Sequence, residues 1–384
     1  MNEKDQKKLK GISYIHILMN AIEKETSVLT VKNFLERLKE IIDSFNYEFL
    51  SKDEINNTFI KLSIYIDNIK IKRNEYIEKQ RNLKEKSLKI KNKKNIKEED
   101  NDYEYIKDLI KKEDENLEDI QVEITDVIGI LLKTHKNQCD YLLQKIINNM
   151  IPQFLNSNKV FEIKIAIFLL DDLIEYIGQE KLGYNIWDNI YYLITKLVLN
   201  EDNSIRQAAA YGIGIFSLNT KTNFIKYSQG LIESLYKSLS INNTEKNEDY
   251  LIAYDNIISA IGKIINYQFN NKIVQKNINQ LIEKWIMNLP LKLDESEKIM
   301  QNELIVNLFI SKRYLIPFNC YSHYFQTLAE IYISKFSNKQ IDNQIEMIFI
   351  NFVNKEDNLK AILAQIYENA SYDIKNKLKI LAKK

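Results

Sequence analysis

Hydrophobic positions recur along most of the chain with the 3.6-residue period of an α-helix. In 205–216 the apolar and small residues lie three and four positions apart, and 257–265 repeats this pattern. Short breaks rich in Asn, Ser, Thr and Asp separate such segments, and these residue types form turns and cap helix N-termini. The pattern therefore predicts an all-α fold of about 15 to 18 helices without strands.

The centres of four predicted second helices recur at a nearly constant distance. They lie at Gly129, Asp172, Gly214 and Gly262, which are separated by 43, 42 and 48 residues. A period of about 40 to 47 residues with two helices per unit is typical of HEAT and armadillo repeats. We therefore predict an α-α superhelix, a HEAT/armadillo-like solenoid whose concave face serves binding.

One predicted repeat also contains a polar pair typical of such units. Asp202 lies in the turn and Arg206 in the second helix, where HEAT repeats place an Asp–Arg pair that links adjacent turns. We expect these two residues to form a structural repeat ladder. The alternative is a surface ion contact, which contributes less than about 1 kcal/mol.

The glycine and proline content excludes several other fold and function classes. The 384 residues include only 8 Gly and 3 Pro, whereas all-β folds need many Gly- and Pro-containing turns. Gly212 and Gly214 form the only close glycine pair, so the glycine-rich loops that bind nucleotide phosphates are absent from the sequence.

Cysteine and histidine are too scattered to indicate catalysis or metal binding. Two cysteines (139 and 320) and three histidines (16, 135 and 323) show none of the spacings of zinc sites or catalytic triads. We therefore expect a protein that is not an enzyme, has no cofactor or metal, and keeps reduced thiols. The charged N-terminus lacks the apolar region of a signal peptide. The longest apolar run, 165–170, is too short to span a bilayer.

The whole chain contains nearly equal numbers of basic and acidic residues, but in one region they lie in two separate blocks. The 54 basic and 53 acidic residues give a net charge of +1, which predicts neither nucleic-acid binding nor membrane insertion. Locally, 84–97 contains seven lysines and 98–119 contains eleven acidic residues. Such blocks are usually solvated. We predict HEAT-like repeats over 1–83, a flexible charged insertion over 84–120, and further repeats over 121–384. Alternatively, the acidic block contacts a basic partner, although the lysine block is able to neutralise it in cis.

Five segments in order resemble one protein family. They are NLEDIQVEITDVIGILLKTHK (116–136), LLDDLIEYIG (169–178), DNSIRQAAAYGIG (202–214), NIISAIGKII (256–265) and EKWIMNLPLKLDESEK (283–298). The last segment carries a W…LPL..D..E pattern at Trp285, Leu289, Pro290, Leu291, Asp294 and Glu297. Together they resemble the C-terminal HEAT repeats of the importin-beta (karyopherin-beta) family, of the importin-five type that imports ribosomal proteins and histones. The resemblance covers about 116–315 well and the remainder by helix pattern.

The resemblance implies a nuclear transport receptor that shuttles between cytoplasm and nucleus. Its partners would be cargo proteins with basic import signals, Phe-Gly nucleoporins of the nuclear pore, and the GTPase Ran. The N-terminal repeats that hold the main Ran site of this family have no counterpart here, so the chain would be either a fragment or a truncated relative. We expect a monomer. The alternative function is a general HEAT-repeat scaffold or regulatory subunit without a role in transport.

Cargo contacts are expected on the polar side of the second helices. The candidates are Asp171, Asp172, Glu175, Gln207, Tyr211, Asp255, Asn256, Asn302 and Glu303. An acidic concave surface would suit a lysine-rich import signal, because paired charges steer encounter and fix register. The alternative is that these side chains simply face solvent. Trp187 and Trp285 have the chemistry of binding hot spots, but their apolar neighbours favour core packing.

Overall fold

The described residues are almost entirely helical. The computed structural model describes residues 3–45, 47–91, 98–157, 159–241, 247–353 and 355–383, and these contain no strand. The predicted all-α class is confirmed. The chain divides into two compact units, Met1–Ile177 (unit 1) and Gly178–Lys384 (unit 2).

Unit 1 contains seven α-helices among its described residues, with π-helical turns at Ile146–Met150 and Leu173–Ile177. The helices are α1 (Glu3–Lys24), α2 (Val28–Asp43), α3 (Lys52–Lys91), α4 (Glu98–Thr134), α5 (Asp140–Lys145), α6 (Ile151–Leu155) and α7 (Val160–Asp172). Helix α4 packs between α2 and α7. These three are the second helices of successive repeats.

Unit 2 continues the same hairpin pattern. Its helices are α8 (Gly178–Leu182), α9 (Tyr184–Leu197), α10 (Asn203–Asn219), α11 (Ile225–Leu239), α12 (Glu248–Tyr267), α13 (Lys272–Lys276), α14 (Ile278–Ile286), α15 (Glu295–Lys312), α16 (Tyr321–Ile331), α17 (Lys339–Ile348), α18 (Asp357–Asn369) and α19 (Tyr372–Ala382). The second helices α10, α12, α15 and α17 pack in series.

Polar residues in the short breaks cap the helices, as the sequence predicts. The side chain of Asn247 accepts a hydrogen bond from a backbone N–H in the first turn of α12, and Asn271, Asn338 and Ser371 cap α13, α17 and α19 in the same way. Each cap satisfies a backbone donor that the helix itself leaves unpaired. Polar caps therefore define the helix boundaries, although the chain contains few Gly and Pro residues.

Both tryptophans are fully buried, which confirms the core interpretation. Trp187 stacks on Phe216 with a centroid distance of 4.6 Å, and its indole N–H donates to Thr220 Oγ1 at 3.0 Å. The indole N–H of Trp285 donates to Gln301 Oε1 at 2.7 Å. The second contact requires Gly262, because a Cβ there would clash with Gln301 Oε1 and Trp285 Nε1.

The described parts of the charged segment are helical. Residues 84–91 end α3 and 98–119 begin α4, and these two long helices pack on each other. Residues 92–97 lie outside the described part of the chain. The acidic block contributes to packing, since Asp114 and Glu118 bind the buried Arg73 of α3. The division into 1–83, 84–120 and 121–384 stays a prediction.

Candidate functional site

The second helices of unit 1 form a surface that carries several carboxylates. We call the surface of α2, α4, α7 and the turn Leu173–Ile177 the second-helix face of unit 1. Of the candidates predicted there, Asp171 is buried, Asp172 is half-buried and Glu175 is exposed.

Asp172 lies directly over Gly129 of the neighbouring helix α4. A Cβ at position 129 would be 2.5 Å from Asp172 Oδ2, so only glycine admits the carboxylate there. Burial raises the pKa of Asp172 well above its usual range, and the charges of Asp126 and Glu175 raise it further. Three carboxyl groups therefore share one small area of the second-helix face.

Tyr176 lies within electrostatic reach of these carboxylates, and their negative charges raise its pKa. Burial raises the pKa of Tyr176 to about 12, and the charges of Glu175, Asp172, Asp126 and Asp43 add to this effect. We call these four carboxylates the acidic face. Sequence analysis missed Asp43 and Asp126. For Asp126 a signal was present, because it precedes Gly129 by three residues and so shares its side of α4.

Lysines of unit 1 partly neutralise this surface. Lys39 Nζ lies 2.9 Å from Asp126 Oδ2 and 3.2 Å from Glu123 Oε2. Lys133 Nζ lies 2.9 Å from Asp43 Oδ1.

Three candidates in unit 2 have structural roles instead of facing solvent. Asp255 is buried, and its Oδ2 accepts the backbone N–H groups of 292, 293 and 294 at 2.6–3.1 Å. Asn256 donates to Asp294 Oδ2 at 2.8 Å, and Asn302 donates to the carbonyl oxygen of Phe336 at 3.0 Å. All three are buried because both flanks of a second helix are covered by its neighbours. The expectation that they face a partner is corrected here.

The remaining unit 2 candidates keep some exposure. Gln207 and Tyr211 are half-buried on α10, and Glu303 is exposed on α15. The Tyr211 ring centroid lies 4.8 Å from the ammonium of Lys263, which is buried and paired with Glu297 at 2.8 Å. These three side chains stay candidates for contact with a partner.

Asp202 and Arg206 bond within their own turn. Asp202 caps α10 by accepting the N–H groups of Ser204 at 2.9 Å and Ile205 at 3.2 Å. Arg206 donates to the carbonyl oxygens of Asn200 and Glu201 at 2.8 and 2.9 Å. The contact from one repeat to the turn of the next is made by Asp255. The ladder role of Asp202 and Arg206 stays a prediction.

Other kinds of site have no counterpart in the described part of the chain. There, no group of three or more His, Cys, Asp and Glu side chains has the arrangement of a metal site. Every described helix is too short or too polar to cross a membrane.

Sequence comparison finds importins among the relatives of this chain, although no protein-family model matches it. A probable importin-5 homolog of Dictyostelium discoideum is 31% identical over 206 residues, which are 52% of this chain and 18% of that protein. Importin subunit beta-3 of Saccharomyces cerevisiae is 27% identical over 192 residues, or 50% of this chain and 17% of that protein. The chain thus matches less than a fifth of the length of either relative.

Solved structures of the karyopherin Kap121p share the fold over nearly the whole chain. The structure bound to RanGTP has a TM-score of 0.67 at 17% identity and covers 97% of this chain and 30% of Kap121p. Structures bound to Ste12p and Nup53p have TM-scores of 0.63 and 0.62 at 18% identity. They cover 97% and 94% of this chain, and 30% and 29% of Kap121p. The predicted HEAT-type superhelical class is confirmed. Sequence and fold together confirm the resemblance of this chain to the importin-beta (karyopherin-beta) family, of the importin-5 type.

Proposed function

We propose that this chain is a nuclear transport receptor of the importin-beta type, or a part of one, and that it binds protein cargo through its second helices. The observation that carries the proposal is the acidic face in a chain whose relatives are importins. A transport receptor with this role binds its cargo without chemical conversion, in keeping with relatives that are not enzymes.

The acidic face suits cargo with a basic import signal. The carboxyl groups near Tyr176 outnumber the lysines that pair with them, Lys39 and Lys133, and a lysine ammonium bound here would gain charge-assisted hydrogen bonds. Asp172 is a favourable position for such contact, because burial, together with the charges of Asp126 and Glu175, holds its pKa high. An arriving ammonium would lower that pKa and stabilise the ionised form.

We extend the proposal to the other partners of a transport receptor. Kap121p structures contain RanGTP and Nup53p, and by analogy we propose Ran, nucleoporins and shuttling between cytoplasm and nucleus for this chain. A cavity of about 290 Å³ between α3 and the segment from α5 to α6 is lined by Phe59, Ile64, Met150 and Phe154. Polar residues, among them Ser63, Asp67 and Asn149, line the rest of the cavity, so we propose only its apolar side as a place for the aromatic side chain of a Phe-Gly repeat.

Peptide binding tests the cargo proposal directly. Fluorescence anisotropy should show that a lysine-rich peptide binds wild type at least about tenfold more tightly than the same peptide with glutamine in place of lysine. The double variant Asp172→Asn/Glu175→Gln should weaken that binding about tenfold. Glu23→Gln on α1, which lies outside the second-helix face, serves as the matched control and should leave binding unchanged.

Two results would contradict the proposal. Equal binding of the lysine and glutamine peptides would favour the general scaffold, since a scaffold has no reason to select lysine. Unchanged binding by the Asp172→Asn/Glu175→Gln variant would remove the acidic face from the cargo site. Repeating the measurement with Ran–GTP asks separately whether Ran displaces the peptide from this chain.

A further inference from the structure

Two lysines of α2 already occupy carboxylates of the second-helix face. Lys32 Nζ lies 2.9 Å from Asp119 Oδ2, and Lys39 Nζ lies 2.9 Å from Asp126 Oδ2 and 3.2 Å from Glu123 Oε2. The lysines are seven residues apart on α2, and Asp119 and Asp126 are seven apart on α4. Seven residues make about two helical turns, so the two pairs form a regular row between the helices.

The carboxylates of this row stay accessible to a third group. The Asp119 and Asp126 side chains are 58% and 46% exposed, whereas those of Lys32 and Lys39 are each 31% exposed. The lysines therefore lie along the helix groove and leave the solvent side of each carboxylate open. A carboxylate has lone pairs for more than one donor, so an incoming ammonium can share it or replace the lysine.

These ion pairs are not what holds the two helices together. Helices α2 and α4 pack on each other, and both bury apolar side chains completely. These are Val31, Leu35, Leu38 and Ile42 of α2 and Ile120, Ile124, Val127 and Leu131 of α4. Losing one partly exposed ion pair outside this core leaves the packing intact, because such pairs contribute little to stability.

Asp126 connects the row to the acidic face. It lies on α4 one helical turn before Gly129, against which the Asp172 carboxylate packs, and its charge adds to the raised pKa of both Asp172 and Tyr176. While Lys39 is paired with Asp126, part of the potential available at Asp172 and Glu175 is cancelled. Displacing Lys39 would leave the charge of Asp126 uncancelled within the acidic face.

We infer that Lys32 and Lys39 are internal competitors of the cargo, an autoinhibitory contact in which lysines of the chain hold the places of cargo lysines. The inference rests on the proposed function, since it concerns the same acidic face. It predicts that the affinity for basic cargo is set below its maximum, so that weakly basic proteins are rejected and release stays fast. A cargo lysine that binds here shares the carboxylate with Lys32 or Lys39 or displaces that lysine, and either way it gains less than it would from an unpaired carboxylate.

The test is a comparison of single variants in the full chain. Lys39→Met keeps the aliphatic stem and removes the competing charge, and it should tighten binding of the lysine-rich peptide about two- to fivefold, the range of one exposed ion pair. Lys32→Met should tighten it less, because Asp119 lies outside the acidic face. The matched control is Arg37→Met, also on α2, because Arg37 pairs with Glu40 of its own helix. It should change the affinity less than twofold.

A second background separates local competition from general charge. In Asp126→Asn the contested carboxylate of the acidic face is gone and Lys39 keeps only Glu123, so adding Lys39→Met should tighten binding less than it does in wild type. An equal gain in both backgrounds would overturn the inference, as would an equal gain from Arg37→Met. Urea unfolding of each variant confirms that the compared proteins are folded.

The outcomes distinguish the inference from the function it rests on. If wild type binds the lysine peptide and Lys39→Met binds it equally or more weakly, the internal competitor is refuted and the cargo proposal stands. If neither wild type nor the lysine variants prefer the lysine peptide over the glutamine peptide, both fail together.

Discussion

Arg73 in unit 1 and Lys263 in unit 2 are both buried cations, but their surroundings differ. Arg73 uses its planar fork: it binds Asp114 through two nitrogens at 2.7 and 3.2 Å, reaches Glu118 and Gln121, and covers the Phe161 ring at 5.1 Å. Its acidic partners are 23% and 31% exposed. Water therefore still reaches the anions around a cation that is itself buried.

Lys263 is part of a closed network. Its ammonium meets Glu297 at 2.8 Å, and both side chains are almost fully buried. Ser259 donates to the same carboxylate, and Gln301 links Ser259 at 2.9 Å to the indole N–H of Trp285. Each polar atom in this network needs its neighbour as a hydrogen-bond partner, because burial excludes the water that would otherwise replace a lost partner.

The loss of stability on removing a buried cation therefore depends on the burial of its anionic partner, and not on the burial of the cation alone. When its cation is removed, a partly exposed anion is hydrated by water. A buried anion is not, and it remains charged and desolvated without a partner. The two units should therefore respond differently to the same kind of substitution.

The largest effect is expected from Lys263→Met. The variant leaves Glu297 buried without its cation and should lower the free energy of unfolding by about 3–5 kcal/mol. Urea unfolding followed by circular dichroism measures this. Lys272→Met, at an exposed position of α13, is the control and should change little. The double variant Lys263→Met/Glu297→Met should recover much of the loss. A double variant as unstable as the single one would show that lost packing, not the unpaired charge, dominates.

A smaller effect, specific to unit 1, is expected on acidification. His135 is buried, and its Nε2 accepts the backbone N–H groups of Phe49 and Leu50, both at 3.1 Å. Burial lowers its pKa to about 4 from an ordinary value of 6.5. Above pH 6.5 the ring is neutral in both folded and unfolded chains, and its contribution is complete. Between pH 6.5 and 4 only the unfolded chain gains the proton, so up to about 3 kcal/mol of stability is lost.

Urea unfolding at pH 7 and pH 5 checks the histidine prediction. His135→Phe removes the acceptor and should be destabilised at pH 7, with a weaker loss between the two pH values than wild type. His16→Gln, at an exposed position of α1, should keep the wild-type pH dependence. If His135→Phe lost as much stability on acidification as wild type, another group would be responsible.

Arg73→Met should cost less than Lys263→Met, about 1–2 kcal/mol, because its acidic partners are partly hydrated. The comparison of the two loss values, measured by the same urea titration, is the direct test of the difference between the networks. Arg81→Met, exposed on the same helix α3, is the control. If Arg73→Met lowered the free energy of unfolding as much as Lys263→Met, partly exposed and buried partners would not differ in their effect on stability.

The smallest effect concerns the backbone of unit 2. Ile333 has a φ of +54°, a left-handed conformation that is unfavourable for a β-branched residue, and its side chain is exposed. Ile333→Gly should raise the free energy of unfolding by about 0.5–1 kcal/mol, the relieved strain less the greater freedom of unfolded glycine. In the helical control Ile310→Gly the same change should destabilise by about 1 kcal/mol. Destabilisation in both would refute the strain at Ile333.

Much of the fold was predictable because its determinants are local. Helix period gives the helices, and Asn, Asp and Ser in the breaks give their caps. The sequence also placed Gly129 and Gly262 at the centres of predicted second helices, where they lie close to side chains of the neighbouring repeat. The structure supplies the reason, since the side chains of Asp172, Gln301 and Trp285 fill the space that a Cβ would take.

The candidate contacts were less predictable because exposure depends on neighbouring repeats. Polar residues off the apolar stripe of a single helix are expected to face solvent. Asp255, Asn256 and Asn302 are instead buried, because a second helix within a stack is covered on both flanks. Only a narrow strip of each second helix remains open, and Glu175 and Glu303 lie on it.

The helical class, the repeat period, the helix caps and the family resemblance are predictable from the amino-acid sequence. They rest on residues close together in the chain or on an ordered series of motifs. The tertiary structure alone decided which charges meet. Lys39 and Asp126 are 87 residues apart, and Lys263 and Glu297 are 34 apart, so no local pattern joins them. Charge pairing depends on distances of a few ångströms, which only the packing of one repeat on the next defines.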